Sequence, residues 1–372
     1  MLSFWEKQSF LQYDSIVVGS GIVGLSTACS LKEKYPEKNI LILERGIFPT
    51  GASTKNAGFA CYGSASEIWN DIQLLGQDRA LELVMLRVKG LKHLRKRLGD
   101  GAIGYQGFGG GEIVFHHESF DINVLPEINS KLRPVFGEDP FEHNDAAAEA
   151  FGFQTQKVRH FIVNKVEGQI DTGKMMKSLM TYAQQLGIVI LTGVQALAPH
   201  KVMAGWEVPV EGTPIAFQAE QVFICTNAFT RTLFPELDIQ PGRGQVLITK
   251  PIHNLKVKGI FHLDGGYFYF RNVENRILFG GGRNLDFTGE ATTEPGINMR
   301  IQEKLENLLE TLILPMGTSF EIEQRWSGIM AFGEEKVPIV VDKGDGLYLG
   351  CRMNGMGIAI GTEIGNMLAE MA

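Results

Sequence analysis

The sequence predicts an α/β part built around a parallel sheet, together with an α+β part built around an antiparallel sheet. The chain has 372 residues, which is more than one hydrophobic core usually serves. Residues 13–45 follow the order strand, helix, strand, as in a parallel β-α-β unit. From Gly242 onward, runs rich in aromatic and β-branched residues indicate antiparallel strands, crossed by one helix over Asn298–Leu312.

The first unit carries a glycine pattern with a mechanical purpose. Residues 16–18 form a strand, and a helix begins at Ile22. The glycines Gly19, Gly21 and Gly24 give the spacing G-x-G-x-x-G. The first permits a tight turn, the second lets the backbone approach a pyrophosphate, and the third lets helix pack closely on strand. The pattern predicts a Rossmann-type dinucleotide site at the helix N-terminus, whose partial positive charge favours phosphate.

The segment after this unit extends the predicted site. Glu44 ends the second strand twenty residues after Gly24, where a carboxylate accepts hydrogen bonds from a ribose. Residues 46–63, GIFPTGASTKNAGFACYG, have too little periodicity for a regular element. Small and polar residues cluster over Ser53–Gly58, so we expect a second contact to the pyrophosphate and ring system there. An ordinary surface loop is the alternative.

Later elements return the chain to the same edge of the sheet. Periodicity predicts helices over Glu67–Leu98 and Asp171–Leu186. The strand Val222–Cys225 runs into the small residues of 226–228, as expected at the carboxyl edge of a parallel sheet, where nucleotides bind. A last strand, a glycine loop and a closing helix complete the chain. In that helix Gly357, Gly361 and Gly365 share one face, so a neighbouring element can approach closely.

Composition excludes several classes of partner. A net charge of −7 and the lack of a basic run argue against nucleic acid. No apolar stretch is long enough to cross a membrane, and the N-terminus lacks a signal-peptide pattern, so we expect a cytoplasmic protein. Its cysteines, at 29, 61, 225 and 351, are then reduced thiols. None has another Cys or a His at metal-ligand spacing, so no metal site is expected.

Together the motifs resemble the D-amino-acid oxidase, glycine oxidase and sarcosine oxidase family of FAD-dependent oxidoreductases. The likeness rests on the fingerprint ending in Glu44-Arg45, on GASTKNAG at 51–58, and on NGMG at 354–357 before the glycine-bearing helix. PGRGQVL at 241–247 is similar to the family's Pro-x-Arg-Gly-Gln motif, and RWSGIMAF at 325–332 to its W-x-G motif. The resemblance covers nearly the whole chain, from Asp14 to the C-terminus.

The resemblance implies two interleaved domains. One is a Rossmann-like FAD-binding domain of the glutathione-reductase type, and the other is an antiparallel β-sheet substrate-binding domain. The FAD-binding domain is expected to comprise residues 13–105, 158–240 and 325–372. The substrate-binding domain is then expected to comprise residues 106–157 and 241–324.

The resemblance and the motifs also predict which residues bind FAD. The closing helix is expected to aim its N-terminus at the flavin, where its positive end would stabilise the reduced, negatively charged ring. The cofactor-binding candidates are Gly19, Ser20, Gly21, Ile22, Val23, Gly24, Glu44, Arg45, Ser53, Thr54, Lys55, Asn56, Ala57, Gly58, Phe59, Ala196, Thr226, Asn227, Ala228, Arg352, Asn354, Gly355, Met356, Gly357 and Ile358.

Three positions depart from the family pattern. Met330 stands where glycine oxidase-like members carry the Arg that grips the substrate carboxylate. Leu278 stands where a flavin-side Lys is expected, which bears on reaction with oxygen. Sarcosine oxidase-like members hold the flavin through a Cys, but none lies between Cys225 and Cys351, so FAD is expected to be noncovalent unless Cys351 serves.

The candidate catalytic residues lie on one predicted strand. Alternation puts Tyr267, Tyr269 and Arg271 on the same face. The segment is similar to the family's Tyr-x-x-Pro-Arg strand, so a tyrosine is expected to orient an amine, and Arg271 or Arg283 to bind an anionic tail. Alternatively, the tyrosines are core residues and the arginines form surface pairs. Weaker acid–base candidates are His116, His117 and His262.

The resemblance implies oxidation of the C–N bond of an amine or amino acid. Hydride would pass to flavin N5, the imine would be hydrolysed, and oxygen or another acceptor would reoxidise the flavin. One alternative is an FAD-dependent dehydrogenase of a 2-hydroxy acid or polyol. The other is a protein that binds FAD without catalysing a reaction.

Overall fold

The structure is a computed structural model that describes residues 1–372. Its α-helices are α1 Phe4–Phe10, α2 Ile22–Lys34, α3 Ala52–Lys55, α4 Ala65–Leu75, α5 Gln77–Leu98, α6 Asp100–Ile103, α7 Leu125–Phe136, α8 Asp145–Ala150, α9 Thr172–Gln185, α10 Thr230–Leu233, α11 Met299–Leu308 and α12 Gly357–Met371. Its strands are β1 Gln12–Val18, β2 Ile40–Glu44, β3 Phe59–Ala60, β4 Gly110–Phe115, β5 Phe141–His143, β6 Val158–Asn164, β7 Gly168–Gln169, β8 Val189–Thr192, β9 His200–Val202, β10 Gly205–Pro209, β11 Ala216–Ile224, β12 Gln240–Thr249, β13 Ile260–Leu263, β14 Phe268–Val273, β15 Arg276–Gly281, β16 Ile322–Phe332, β17 Ile339–Asp342 and β18 Leu347–Cys351.

The first sheet is a parallel α/β sheet. Its central order is β18-β11-β1-β2-β8, with all four pairings parallel. The antiparallel strand β17 lies at one edge, and the β9–β10 hairpin pairs with the first half of β11. Because β1, α2 and β2 follow one another as predicted, the β-α-β unit is confirmed at the centre of the sheet.

The second sheet has the order β16-β12-β15-β14-β13-β4-β6-β5. Every pairing is antiparallel except that of β4 with β13, which is parallel. Phenylalanines fill its core, where the side chains of Phe268 and Phe270 point away from those of Tyr267 and Tyr269. The fold class expected from the sequence is therefore confirmed, with this one parallel pair as an addition.

Strand pairing bears on the domain boundaries, which remain a proposal. β6 pairs with β4, and β16 pairs with β12 along its whole length, so residues 158–164 and 325–332 belong to the second sheet. The expected boundaries placed both segments in the first domain. After β6 and after β16 the chain returns to the first sheet. The residue pattern of these two strands does not show with which sheet they pair, so the sequence could not place the boundary correctly.

One predicted helix is interrupted. The expected helix over Glu67–Leu98 is two helices, α4 and α5, which meet at Gly76. The φ angle of Gly76 is +82°, outside the range of a right-handed helix.

No helix of the structure combines the length and the apolar character needed to cross a membrane.

The helices α2, α5 and α12 pack against one another at glycines. A Cβ atom on Gly361 of α12 would lie 2.7 Å from the Ile22 side chain of α2, and one on Gly365 would lie 2.6 Å from the Thr27 nitrogen. A Cβ atom on Gly90 of α5 would overlap the carbonyl oxygen of Ala359. The predicted glycine face of the closing helix is therefore a contact surface, and α5 adds a third partner.

We expect Gly90→Ala to lower stability by about 1–3 kcal/mol, because α5 and α12 must separate to admit the methyl group. Gly101→Ala is the matched control, since a Cβ atom at this helical glycine has nothing within 4 Å. The control is expected to hold or slightly raise the midpoint of thermal unfolding. Equal midpoints for the two variants would contradict the close contact.

Candidate functional site

A single large cavity lies where the carboxyl edge of the first sheet faces the second sheet. Its volume is about 1260 Å³. Pockets for small ligands usually measure about 300–1,000 Å³. The cavity therefore has room for a dinucleotide and a second, smaller molecule.

At one end of the cavity the carboxylate of Glu44 is held in place before any ligand binds. Its Oε2 accepts hydrogen bonds from Ser20 N, at 3.0 Å, and Ser20 Oγ, at 2.6 Å. Its Oε1 accepts one from Gly46 N, at 2.8 Å. Ser20 is fully buried and does not line the cavity. Ser20 therefore positions Glu44, whereas the sequence suggested that it would itself bind the cofactor.

A flat cationic face lies beside Glu44. The Arg45 guanidinium carbon lies 3.6 Å from the centroid of the Phe229 ring. Both residues line the cavity, as does Ala196. A planar base fits such a face. Phe229 was missed from the sequence, although it follows the candidate segment 226–228 directly.

Two helices begin at this cavity, and neither has a side-chain cap. α2 starts after Gly21, and only its Ile22 N–H is satisfied there, by donating to Ser53 Oγ at 3.0 Å. α12 starts after Met356, and its first residues, Gly357 and Ile358, line the cavity. Free N–H groups at helix N-termini attract anionic groups.

Side chains of the glycine-rich loop hold the loop itself in shape. Asn56 Oδ1 accepts hydrogen bonds from Gly58 N at 2.8 Å and from Thr172 Oγ1 at 2.9 Å. Thr54 Oγ1 donates to Pro49 O and does not line the cavity. The Trp326 indole N–H of β16 donates to Lys55 O at 2.9 Å, so the W-x-G motif ties the second sheet to this loop.

A second polar joint links two loops at the carboxyl edge. Asn227 Oδ1 accepts hydrogen bonds from Arg352 N at 3.1 Å and Met353 N at 3.3 Å. The Arg352 side chain turns away from the cavity and pairs with Asp238 at 2.7 Å. Arg352 therefore supports the loop and does not reach the cavity.

The structure brings most of the predicted cofactor residues to one cavity wall. Those that line it are Gly19, Gly21, Ile22, Val23, Glu44, Arg45, Ser53, Lys55, Asn56, Ala57, Gly58, Phe59, Ala196, Thr226, Asn227, Ala228, Asn354, Gly355, Met356, Gly357 and Ile358. Those that do not are Ser20, Gly24, Thr54 and Arg352. A Cβ atom on Gly24 would overlap Gly19 O, so Gly24 serves helix packing.

Both predicted tyrosines line the other part of the cavity. Tyr267 is 45% exposed at its rim. Tyr269 lies deeper, edge-on to the Phe59 ring with centroids 5.5 Å apart. Burial raises the pKa of Tyr269 to about 12, so its phenol is neutral at physiological pH. Tyr269 is therefore suited to hydrogen bonding with a ligand and not to accepting its proton.

Arg271 does not reach the cavity. It is buried behind the turn at Gly58, where a Cβ atom would lie 3.0 Å from Arg271 Nη2. Burial lowers its pKa to about 10. Alternation correctly placed it on the face of Tyr269, but two residues further along the strand this face meets the first domain.

Arg283, which follows β15 of the second sheet, is an arginine that does line the cavity. Its guanidinium carbon lies 3.9 Å from the Phe332 ring centroid and 4.8 Å from that of Phe287. It forms no ion pair and no hydrogen bond with a side chain or backbone oxygen. Burial lowers the pKa of Arg283, and the more distant Tyr267 and Glu290 offset this effect only in part.

Two glycines of β12 make room for the side chains of Phe332 and Met330. Gly242 and Gly244 lie on β12, with Met330 directly across from Gly242 on β16. A Cβ atom on Gly242 would lie 3.5 Å from Arg283 Cδ, and one on Gly244 would lie 2.6 Å from Met330 Cε. Arg283 and Met330 therefore line the same cavity, and Met330 is the position at which the resemblance to glycine oxidase-like proteins led us to expect an Arg.

The Pro-x-Arg-Gly-Gln motif fastens the chain that follows Arg283. Arg243 donates to both oxygens of Glu290, at 2.8 and 3.0 Å, and Glu290 is fully buried. Gln245 Oε1 accepts a hydrogen bond from Asn298 N at 2.9 Å. Burial alone would raise the pKa of Glu290, but the Arg243 guanidinium holds it below its ordinary value.

A buried charged cluster adjoins the cavity and is defined here as Cys61, Glu67, Arg87, Glu112, Glu167 and His262, of which only Glu67 is partly exposed. Arg87 pairs with Glu67 at 3.0 Å and donates to Tyr62 O. Glu112 accepts hydrogen bonds from the hydroxyls of Ser64 and Ser66. The cluster draws on five separate stretches of chain, so no local motif announces it.

Comparison with known proteins identifies the relatives of this chain. The DAO family model, described as FAD dependent oxidoreductase, matches residues 14–371. No curated protein sequence matches significantly. Solved structures do match: L-proline dehydrogenase from P. horikoshii has a TM-score of 0.77 at 15% identity, over 97% of this chain and 93% of that chain. Glycine oxidase from Geobacillus kaustophilus has a TM-score of 0.74 at 19% identity, over 97% and 95%. L-amino acid deaminase from Proteus vulgaris has a TM-score of 0.77 at 16% identity, over 96% and 93%.

We expect Arg243→Met to destabilise the protein by about 3–5 kcal/mol at neutral pH, because Glu290 is left buried without its partner. In the wild type the lowered pKa of Glu290 means that the pair stabilises the fold above the ordinary carboxyl pKa, and that this contribution is lost as the pH falls through the lowered value. In the variant the Arg243 charge is gone and burial is opposed mainly by the hydrogen bond from Asn298 Nδ2, so Glu290 is protonated more readily. The deficit in thermal midpoint should therefore shrink as the pH is lowered.

The double variant Arg243→Met/Glu290→Gln is the control, because it removes the titrating group. Its deficit relative to the wild type should be smaller than that of the single variant at neutral pH. A single-variant deficit that is large and independent of pH would contradict this account of the pair.

Proposed function

Because the chain belongs to the DAO family of FAD-dependent oxidoreductases, we propose that it binds FAD noncovalently and oxidises the C–N bond of an amino acid. The observation that carries the choice of substrate is Arg283, an unpaired cation stacked on two aromatic rings in the substrate part of the cavity. The three structures of similar fold named above bear names that refer to amino acids.

The residues present fit FAD. Hydrogen bonds from Ser20 and Gly46 hold the Glu44 carboxylate in a fixed orientation, in which it could accept hydrogen bonds from ribose hydroxyls. The N-terminus of α2 offers N–H groups to a pyrophosphate, and that of α12 offers them to the flavin. FAD, when bound, supplies an acceptor for two electrons.

The cysteines favour noncovalent binding. Cys61 and Cys225 line the cavity, and both are buried. Burial raises the pKa of both thiols, that of Cys225 to about 12, so neither is a thiolate at neutral pH. Cys351 does not line the cavity, and burial raises its pKa to about 11. Thiolates are the reactive form, so none of the three is activated for attack on a flavin.

Arg283 would hold the substrate carboxylate. A guanidinium can donate two parallel hydrogen bonds to a carboxylate, and this one has no competing acceptor. The rings of Phe287 and Phe332 hold its plane in one orientation. Fixing the carboxylate fixes the α-carbon, which is the alignment that hydride transfer needs.

Tyr269 on β14, and Tyr267 in the turn directly before β14, would orient the amine. Their phenols lie along one edge of the cavity, one at the rim and one inside. Because the pKa of Tyr269 is raised to about 12, its phenol keeps its proton while accepting or donating a hydrogen bond. The α-carbon would then be oriented to lose hydride, bound FAD would supply the two-electron acceptor, and the imine left after loss of an N–H proton would be hydrolysed by water.

Loading with FAD tests the cofactor site. Gly21→Val should weaken flavin binding at least about tenfold, a loss of about 1.4 kcal/mol, and should lower the flavin retained per chain, because the added side chain occupies space where the backbone approaches the pyrophosphate. Gly101→Ala should load fully. Absorbance of flavin per chain provides the measurement, and wild-type flavin should leave the protein on denaturation. Flavin retained by denatured protein would refute noncovalent binding.

Arg283 is tested by Arg283→Met. We expect kcat/KM for the amino acid to fall roughly 10- to 150-fold, the range that follows from losing a charged hydrogen bond of about 1.5–3 kcal/mol. A substrate amine without a carboxylate should lose little. Arg276→Met on β15 is the control, because Arg276 pairs with Glu323 outside the cavity. An equal loss for both substrates would count against a carboxylate clamp.

The activity itself is tested by anaerobic mixing of the yellow protein with amines, amino acids, 2-hydroxy acids and polyols. Bleaching by amino acids supports the proposal. Bleaching by hydroxy acids or polyols alone would favour the dehydrogenase alternative, and no bleaching by any compound would favour a non-catalytic flavin protein. Peroxide release in air would identify oxygen as the acceptor.

A further inference from the structure

Three side chains of the buried charged cluster meet at one point. β3 and β7 pair with Phe59 opposite Gln169 and Ala60 opposite Gly168, so the same register places Cys61 beside Glu167. His262 reaches them from β13 in the middle of the second sheet. The Cys61 thiol, a Glu167 carboxylate oxygen and a His262 ring nitrogen all lie within 4.8 Å of one another, and all three residues are buried.

Two of these atoms have no hydrogen-bond partner. Glu167 Oε2 and His262 Nε2 are both buried and unsatisfied, and they lie 3.5 Å apart. Glu167 is 1% exposed and His262 is 7% exposed. Nearly all buried polar atoms in proteins are satisfied, so two such atoms facing each other call for a shared partner.

We propose that Cys61, Glu167 and His262 bind a zinc ion. Thiolate, imidazole and carboxylate are the three ligand types that Zn²⁺ takes in proteins, and a single thiolate with one nitrogen disfavours Ca²⁺ and Mg²⁺. Oxygen and nitrogen ligands bound to one tetrahedral zinc lie roughly 3.3 Å apart, given bonds of about 2.0–2.1 Å. The observed separation of 3.5 Å is close to this value.

The surroundings already orient two of the ligands. Glu167 Oε1 accepts hydrogen bonds from Tyr62 N at 2.7 Å and Gly63 N at 3.2 Å, which leaves Oε2 facing the proposed ion. The His262 ring packs edge-on against Phe59, with centroids 5.3 Å apart. Such outer contacts fix ligand geometry before the metal arrives.

The charge of the cluster also suits a dication. Glu112 and Glu167 are buried carboxylates, Glu67 is a partly buried one, and Arg87 is the fixed cation among them. Nearby Asp71 is neutralised by Lys336 at 2.6 Å. Zinc would balance the excess negative charge, and it would displace the Cys61 proton, as a metal–thiolate bond requires.

Three protein ligands leave a fourth position on a tetrahedral zinc. Cys61 and His262 line the cavity, whereas Glu167 lies behind them. The open position therefore faces the cavity, where water or a bound small molecule can occupy it. The site depends on these side chains alone and not on the activity proposed above.

The rival explanation is a simple ion pair between Glu167 and protonated His262. To separate the two, the purified holoprotein is stripped with a chelator and titrated with Zn²⁺ alone, and bound metal is counted per chain. In a second titration Co²⁺ replaces zinc. A cobalt–thiolate bond adds a charge-transfer band, and tetrahedral cobalt adds ligand-field bands at wavelengths beyond the flavin absorption.

We expect one tight metal per chain and the thiolate band in the wild type. Cys61→Ser and Glu167→Gln should each weaken zinc binding at least about tenfold, as the loss of a ligand contact does. Cys29→Ser is the control, since Cys29 is equally buried but packs in the core of the first domain. Flavin content and thermal midpoint, measured for each variant, show whether it is folded.

If a ligand variant fails to fold, the cobalt spectrum of the wild type still decides the question. No bound metal, or bound cobalt without the thiolate band, overturns the proposal and leaves the ion pair. Zinc binding that Cys61→Ser and Glu167→Gln do not weaken overturns it as well. Failure of the proposed activity would show separately, because flavin bleaching is measured without added metal.

Discussion

The cavity depends on the close contact of α2, α5 and α12. At Gly90, Gly361 and Gly365 there is no space for a side chain, so each glycine backbone contacts the neighbouring helix directly. This contact places the N-termini of α2 and α12 on the same cavity, although they lie at opposite ends of the chain. Each carries a partial positive charge, so together they favour an anionic ligand. The contact explains how residues from the beginning and from the end of the chain can line one binding cavity.

The second sheet completes the cavity because it is fastened to the first domain at the glycine-rich loop. Trp326 of β16 donates to Lys55 O, and Gly328 allows the Lys55 side chain to pack directly on the strand. Arg271 of β14 packs behind Gly58 of the same loop. A loop that one domain shapes and the other supports keeps both walls at a fixed separation. That separation sets the distance between a bound ring system and a substrate.

The features predicted correctly from the sequence are those with a local cause. The spacing of Gly19, Gly21 and Gly24 encodes a turn and a helix start, and both Tyr269 on β14 and Tyr267 in the turn before it line the cavity. The expected single helix over Glu67–Leu98 was wrong because one glycine with positive φ outweighs the periodicity on both sides of it. Local patterns carry these features because the interactions involved span only a few residues.

Features that arise from contacts between distant segments were missed or left open. Arg271 and Arg283 looked equivalent in the sequence, and only the position of the Gly58 turn buries the first and leaves the second in the cavity. The meeting of Cys61, Glu167 and His262 depends on the register of β3 with β7 and on the place of β13 in the other sheet. The number of residues between these three side chains does not reveal how the strands that carry them are paired.

Arg243 lies on β12 of the second sheet and Arg283 follows β15 of the same sheet, but only Arg243 has a carboxylate partner. Arg243 is saturated by Glu290, so it stabilises the fold and has no capacity left for a ligand. Arg283 lies across β12 from the Met330 position, stacked on Phe287 and Phe332 with no acceptor. Aromatic faces compensate a guanidinium only in part, and the lowered pKa of Arg283 reflects what remains uncompensated. An anion bound there would offset that deficit, which is the physical basis for proposing that a substrate carboxylate binds on this side of the cavity.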